Sequence, residues 1–140
     1  MISPPIFIDT SALIAFLNPH DQYHERISNY IHQGNLLAGV TSNLVLAELL
    51  SFFSRHGDLR GVLQFQRTLL EDHAIKVIWI DSTLHRAASQ TLEKFSNLHL
   101  SFTDAVSLAL MKKERLTQAL AFDDDFIKAG YETLPLPHER

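Results

Sequence analysis

The chain contains no cysteine in its 140 residues. That excludes disulfides, thiolate metal sites and a cysteine nucleophile, and it fits a reducing compartment. Its five glycines form no phosphate-cradling loop, which argues against a nucleotide-binding enzyme. No serine stands in a motif with His and Asp partners, so a serine hydrolase has no support. There is no excess of basic residues either. Twelve Lys and Arg face sixteen Asp and Glu, for a net charge of -4 and a pI near 6.0. This speaks against nucleic-acid binding driven mainly by charge. The objection weakens if several acids share a divalent cation, which reverses the local sign. No apolar run is long enough to span a membrane. The opening MISPPIFIDTSALIAFL has no basic stretch before its apolar part and is interrupted by Asp9, so it reads as neither a signal peptide nor a span. A cytoplasmic protein is expected.

What is present is ordinary for a folded domain: 46% hydrophobic and 20% charged residues. The length suits a single domain over residues 1–140. No repeat or linker is visible. Short apolar runs alternate with longer amphipathic stretches. Strands are expected at Ile6–Ile8, Leu36–Val40, Ile75–Ile80, Ala119–Phe122 and Tyr131–Leu134. Helical spacing is expected over Ala12–Leu17, stopped by Asn18-Pro19, and over Tyr23–Ile31. A helix capped by Thr41 or Ser42 should run through Phe53 and end near Gly57. Further helices are expected over Leu59–Leu70, from the Asp81-Ser82-Thr83 cap through Phe95, over Ser101–Lys113, and as a turn at Phe126–Ala129. The alternation implies a parallel sheet of four to five strands with helices on both faces. In such sheets the site lies at the carboxyl ends of the strands.

That rule sorts the acids. Asp9 ends the first strand, and it also suits a helix cap. Asp123 follows the strand at Ala119, within the mutually repelling run Asp123-Asp124-Asp125, one of which could cap the next helix. Glu48 is the only charge between Val40 and Arg55, on a helix whose other positions are almost all apolar or small, and it also suits a single solvent-facing line of that helix. Asp104 falls in the first turn of its helix, a placement the helix dipole favours without any chemistry. Taken together, four such carboxylates would repel unless a cation neutralised them, and oxygen ligands without thiolates select Mg²⁺ or Mn²⁺. One or two such ions can activate water for in-line displacement at a phosphodiester, leaving a 5′-phosphate and a 3′-hydroxyl.

The segments Ile8-Asp9-Thr10-Ser11-Ala12-Leu13, Ala47-Glu48-Leu49, Phe102-Thr103-Asp104-Ala105 and Phe122-Asp123-Asp124-Asp125-Phe126 fall in the order and spacing of PIN-domain ribonucleases. From Ile6 to about Leu134 the chain most resembles the small VapC-type toxins of toxin–antitoxin pairs. The resemblance implies a three-layer α/β/α fold, RNA cleavage with Mg²⁺ or Mn²⁺, an antitoxin whose tail occupies the active-site groove, and a homodimer. By position Asp9, Glu48, Asp104 and Asp123 match the family's metal-binding and catalytic acids. Thr10 and Ser11 match the polar pair after the first acid, and Thr103 sits at the site's edge. Ala121 departs from the usual threonine two residues before the fourth acid. Asp125 matches an acid more often peripheral, and it stands second to Asp123 as a ligand. Asp21-Gln22-Tyr23-His24-Glu25 resembles a family stretch that edges the substrate groove.

Other features have plainer readings. His20 and His24 have metal spacing, but two ligands close no zinc site. Arg55, Arg60, Arg67 and the Lys112-Lys113-Arg115 cluster are candidate phosphate contacts or a solvated face. Trp79, inside an apolar run, is expected in the core. Apolar residues of Leu44–Phe53 and Leu59–Leu70 suit either antitoxin contacts or the core. The alternatives are a solitary PIN-type RNA-processing nuclease, a catalytically silent RNA-binding protein of the same fold, and a DNA-directed flap nuclease.

Overall fold

A computed structural model of the chain describes residues 5–34, 38–73 and 75–136. Among these residues five strands form one sheet: β1 (Ile6–Ile8), β2 (Gly39–Ser42), β3 (Ile75–Ile78), β4 (Gln118–Leu120) and β5 (Glu132–Leu134). Every pairing is parallel, in the order β3-β2-β1-β4-β5. The expected strand at Leu36–Val40 is realised as β2, shifted toward its carboxyl end; Leu36 and Leu37, with the Asn35 of the expected turn, lie outside the described residues. Three strands stop or start inside their expected bounds, β5 beginning at Glu132 rather than Tyr131. β3 stops at Ile78, before Trp79 and Ile80, and β4 stops at Leu120, before Ala121 and Phe122.

The helices are α1 (Thr10–Leu17), α2 (His24–His32), α3 (Asn43–Arg55), α4 (Leu59–Glu71), α5 (Ser82–Lys94), α6 (Phe102–Lys113) and α7 (Asp125–Lys128). Their starts follow side-chain chemistry. Asp9, Ser42, Asp58, Asp81 and Ser101 each accept an amide hydrogen bond at the head of a helix. Gly130, at φ 99°, follows the end of α7 in a left-handed conformation that costs glycine nothing. Right-handed crossovers put α1–α4 over one face of the sheet and α5–α7 over the other.

Alternation along β1 shows how the two layers attach. Ile8 shares an apolar gap with Leu13 and Phe16 of α1 and Phe65 of α4. Its neighbour Phe7 turns to the opposite face, with its ring 6.1 Å from that of Phe126 in α7. Close packing on the first face explains Gly39: a Cβ there would lie 2.5 Å from Ile8 Cδ1. Burying Phe7 and Ile8 almost completely contributes about 1.5–3 kcal/mol each.

Trp79 corrects the sequence reading. It is 65% exposed rather than in the core, because β3 is an edge strand whose outer side has no neighbour in the sheet among the described residues. Among the described residues no helix is long and apolar enough to cross a membrane.

Candidate active site

The carboxyl ends of β1 and β4 adjoin at the centre of the sheet, and the chain leaves both through acids. Asp9 follows β1 directly. Its amide donates to the carbonyl of Leu120, the last residue of β4, at 3.1 Å. Its carboxylate is 3% exposed. Oδ2 accepts from the amide of Ser11 at 3.2 Å and from the Ser11 hydroxyl at 2.6 Å. Asp9 therefore does cap α1, and the cap also fixes its rotamer. The Ser11 hydroxyl in turn accepts from the amide of Phe122 at 3.0 Å. One hydroxyl thus couples the acid after β1 to the backbone next to Asp123.

Asp123 occupies the loop between β4 and α7. Its Oδ1 accepts from the Asp125 amide at 2.9 Å, a local turn that fixes the acidic run. Asp124 precedes α7 and makes no side-chain cap. Asp104 reaches the same place from the first turn of α6. It forms a capping box with Ser101: the Asp104 amide donates to Ser101 Oγ at 3.1 Å, and Asp104 Oδ2 accepts from the Ser101 amide at 3.4 Å. One residue thus both caps its helix and joins the acidic cluster.

Asp104, Asp123 and Asp125 each bring an oxygen within 4.8 Å of the other two. Asp9 and Glu48 stand outside this tight trio, and Asp125, the second choice from the sequence, stands inside it. Asp9 remains in electrical contact with Asp104 and Asp123, and Glu48 of α3 with Asp104. Burial, reinforced by the charges of Asp104 and Asp123, pushes the Asp9 pKa up to about 7 against the pull of its Ser11 bonds. Asp104 rises to about 6, mainly through burial and then through Asp123 and Glu48. Asp125 is also raised, by partial burial and by Asp123. These shifts describe negative charge that the protein itself leaves uncompensated. An all-oxygen donor set of this kind suits a hard divalent cation, so the residues present fit such an ion.

The supporting residues divide. Ser11 holds Asp9. The Thr10 hydroxyl is buried and has no hydrogen-bond partner among the described residues. The Thr103 carbonyl accepts from Ser107 Oγ at 2.9 Å, a bond within α6. His24 is structural: its Nδ1 lies 2.8 Å from the Ala15 carbonyl, tying α2 to α1. The basic candidates are all exposed, and Lys112 and Lys113 are in the last turn of α6. Eight residues of helix separate Lys112 from Asp104, roughly 12 Å, so it cannot touch a phosphate held at Asp104 without a long reach.

Two supports escaped the sequence reading. Thr41 donates from Oγ1 to the carbonyl of Ile8 at 2.8 Å, fixing the peptide that leads into Asp9. Asn43 Oδ1 accepts from the amide of Ile80 at 2.8 Å, holding the chain just past β3. A polar residue at the end of an apolar strand was the available signal for both.

The comparisons with known proteins identify the fold family. Residues 6–131 match the PIN domain family. The chain is 30% identical over 126 residues to the 23S rRNA-specific endonuclease VapC20 of Mycobacterium tuberculosis, an alignment covering 90% of this chain and 95% of the relative. The crystal structure of that M. tuberculosis protein, described as a Sarcin-Ricin loop cleaving toxin, is similar with a TM-score of 0.83, over 90% of this chain and 95% of the other. FitAcB from Neisseria gonorrhoeae, at 17% identity, has a TM-score of 0.65 over 91% and 95% of the two chains and shares the fold. The chain belongs to the PIN domain family.

Proposed function

We propose that the chain is a metal-dependent endoribonuclease, a single unit over residues 1–140 that acts in the cytoplasm as the toxin of a toxin–antitoxin pair. One observation carries the reading. Three carboxylates converge within 4.8 Å beside a buried fourth, at the carboxyl edge of the central strands of a PIN domain. The 30% identity to a 23S rRNA-specific endonuclease supports it and makes ribosomal RNA the first substrate to try.

In this reading Asp104 and Asp123 hold Mg²⁺ or Mn²⁺, Asp9 joins from β1, and Asp125 completes the set. A bound divalent ion supplies a nucleophilic water and neutralises the leaving oxygen. The chain's own residues do the positioning. Ser11 orients Asp9, the Ser101 box orients Asp104, and Glu48 adds negative charge on the α3 side of Asp104. With burial raising Asp9 and Asp104, protons compete with the ion, so ion binding strengthens as pH rises past about 7. The partners proposed are an RNA substrate, an antitoxin protein covering the groove, and a second copy of the chain.

The test is to incubate the purified protein with ribosomal RNA in Mg²⁺, in Mn²⁺ and in EDTA, beside Asp104→Asn. Cleavage that needs the ion, leaves 5′-phosphate ends and disappears in Asp104→Asn supports the reading. Cleavage that survives EDTA or the substitution overturns the metal–carboxylate mechanism. If no RNA is cut and the ion leaves the melting temperature unchanged, the protein is an RNA-binding member of the fold without chemistry.

A further inference from the structure

Next to the carboxylates lies a second feature that metal chemistry does not use. A cleft of about 320 Å³ opens between the turn before α2 and the loop after β4. That volume is at the small end of sites that take organic ligands. Its lining has three parts. Tyr23, Phe122 and Ile14 give it an apolar surface, Gln22 and Asp21 add polar groups, and Ser11 and Asp123 belong to the site itself. The cleft is therefore continuous with the place where a phosphate would be cut.

The aromatic pair is built rather than incidental. The rings of Tyr23 and Phe122 stack at 4.3 Å between centroids, 4° from parallel. Both are half-buried, so part of the stack faces the cleft. The Arg26 guanidinium carbon lies 5.4 Å from the Tyr23 ring centroid. The Tyr23 amide donates to Asp21 Oδ1 at 2.8 Å, and His24 anchors the same turn to α1. Phe122 is held by its amide on Ser11 Oγ, the hydroxyl that also holds Asp9. The platform and the first acid are thus positioned by one group.

A rigid aromatic surface with an adjacent cation and an exposed amide is how proteins hold an unstacked base. Gln22 can both donate to and accept from a base edge. We propose that this cleft is a subsite for one unpaired RNA base on one side of the phosphodiester that is cleaved, stacked against the Tyr23–Phe122 pair and read by Gln22. The proposal deepens the ribonuclease reading and rests on it for the identity of the ligand.

The test uses short single-stranded RNAs with one abasic ribose placed in turn on either side of the cut. With the wild-type protein one placement should raise KM about tenfold, within the range of a single base–aromatic stack. In Tyr23→Leu that placement should cost nothing further, while Tyr23→Phe should restore the penalty. Gln22 is exposed, so Gln22→Ala should keep the fold and change the preference among bases at the same position. A separate arm needs no cleavage. Short single-stranded RNAs carrying 2-aminopurine at each position in turn, bound to Asp104→Asn, should include one that loses fluorescence, and the loss should vanish when Tyr23→Leu is added. If the wild type cuts nothing, the ribonuclease reading fails, while the fluorescence arm still decides the subsite. An abasic penalty equal in wild type and Tyr23→Leu, or no quenching in Asp104→Asn, overturns the proposal. The stack would then be packing between the α2 turn and the β4 loop, or a protein contact.

Discussion

Strands β1 and β3 look alike as sequence, IFI and IKVI, yet the chain leaves them in opposite ways. β1 has β2 on one side and β4 on the other, and the residue that follows it, Asp9, is 3% exposed. Among the described residues β3 pairs with β2 alone, and the residue that follows it, Trp79, is 65% exposed. Position in the sheet, not hydropathy, decides which exit is desolvated. At the centre a carboxylate is forced out of water and needs Ser11 to keep it in place. At the edge an indole remains in solvent. A charge buried at such cost is hard to explain by stability, which is why the centre and not the edge reads as the working end.

The contrast should be broken most strongly by pH. In the folded chain Asp9 titrates at about 7 rather than 3.8, so folding favours its protonated form. The stability this confers is fully present below about pH 4 and is lost as pH rises through about 7, amounting to a few kcal/mol. Asp104, raised to about 6, has the same sign. Metal-free protein should therefore unfold at lower denaturant concentration at about pH 8 than at about pH 5. Mn²⁺ at the higher pH should restore the difference, because it binds the deprotonated acids. Asp9→Asn should flatten the profile. A profile unchanged by that substitution would mean that Asp9 is not desolvated as described.

Next in size is the single hydroxyl that supports the centre. Ser11→Ala removes the hydroxyl donor to Asp9, leaving the Ser11 amide, and with it the acceptor for the Phe122 amide. Leaving that amide and a buried carboxylate short should cost about 1–3 kcal/mol in denaturant unfolding. RNA cleavage should fall with it, since Asp9 and the Phe122 loop lose their common support. An intact cleavage rate in Ser11→Ala would show that packing alone places Asp9.

Much of this was legible in the residues. Element order and the parallel sheet followed from alternating periodicities, and the carboxyl-edge rule pointed to the end of the sheet where Asp104 and Asp123 meet. The capping readings of Asp9 and Asp104 were offered as rivals to chemistry, and both are realised alongside the acidic cluster, because one carboxylate has two oxygens. Other features depend on tertiary pairing that no local pattern carries. Trp79 continues an apolar run, and only the strand order reveals that β3 is an edge. Ser11 meets Phe122 across 111 residues, and Tyr23 finds the same loop. Asp125 enters the trio because the turn at Asp123 bends the chain back, which three identical letters do not disclose.

The acidic run sharpens the comparison on a smaller scale. Asp125 belongs to the trio, whereas neighbouring Asp124 is exposed. Asp125→Asn should weaken Mn²⁺ binding about tenfold, roughly 1.4 kcal/mol, and Asp124→Asn less than about twofold. Titration calorimetry near pH 8 measures both. Equal losses would mean that the run acts only through its summed charge.

The smallest effect is expected at the edge. Trp79 lies past the end of β3, beside the exposed Leu70 of α4, and buries little against its own chain. Its replacement removes few contacts that folding creates, so Trp79→Ala should change unfolding free energy by less than about 0.5 kcal/mol and leave cleavage unaltered. The measurement is a denaturant series at several protein concentrations. A loss that grows with concentration would show that a second copy covers this edge, since a residue exposed in the monomer can stabilise only what binds it. A loss independent of concentration would mean that β3 is buried within its own chain, and the division between a desolvated centre and a solvated edge would fail.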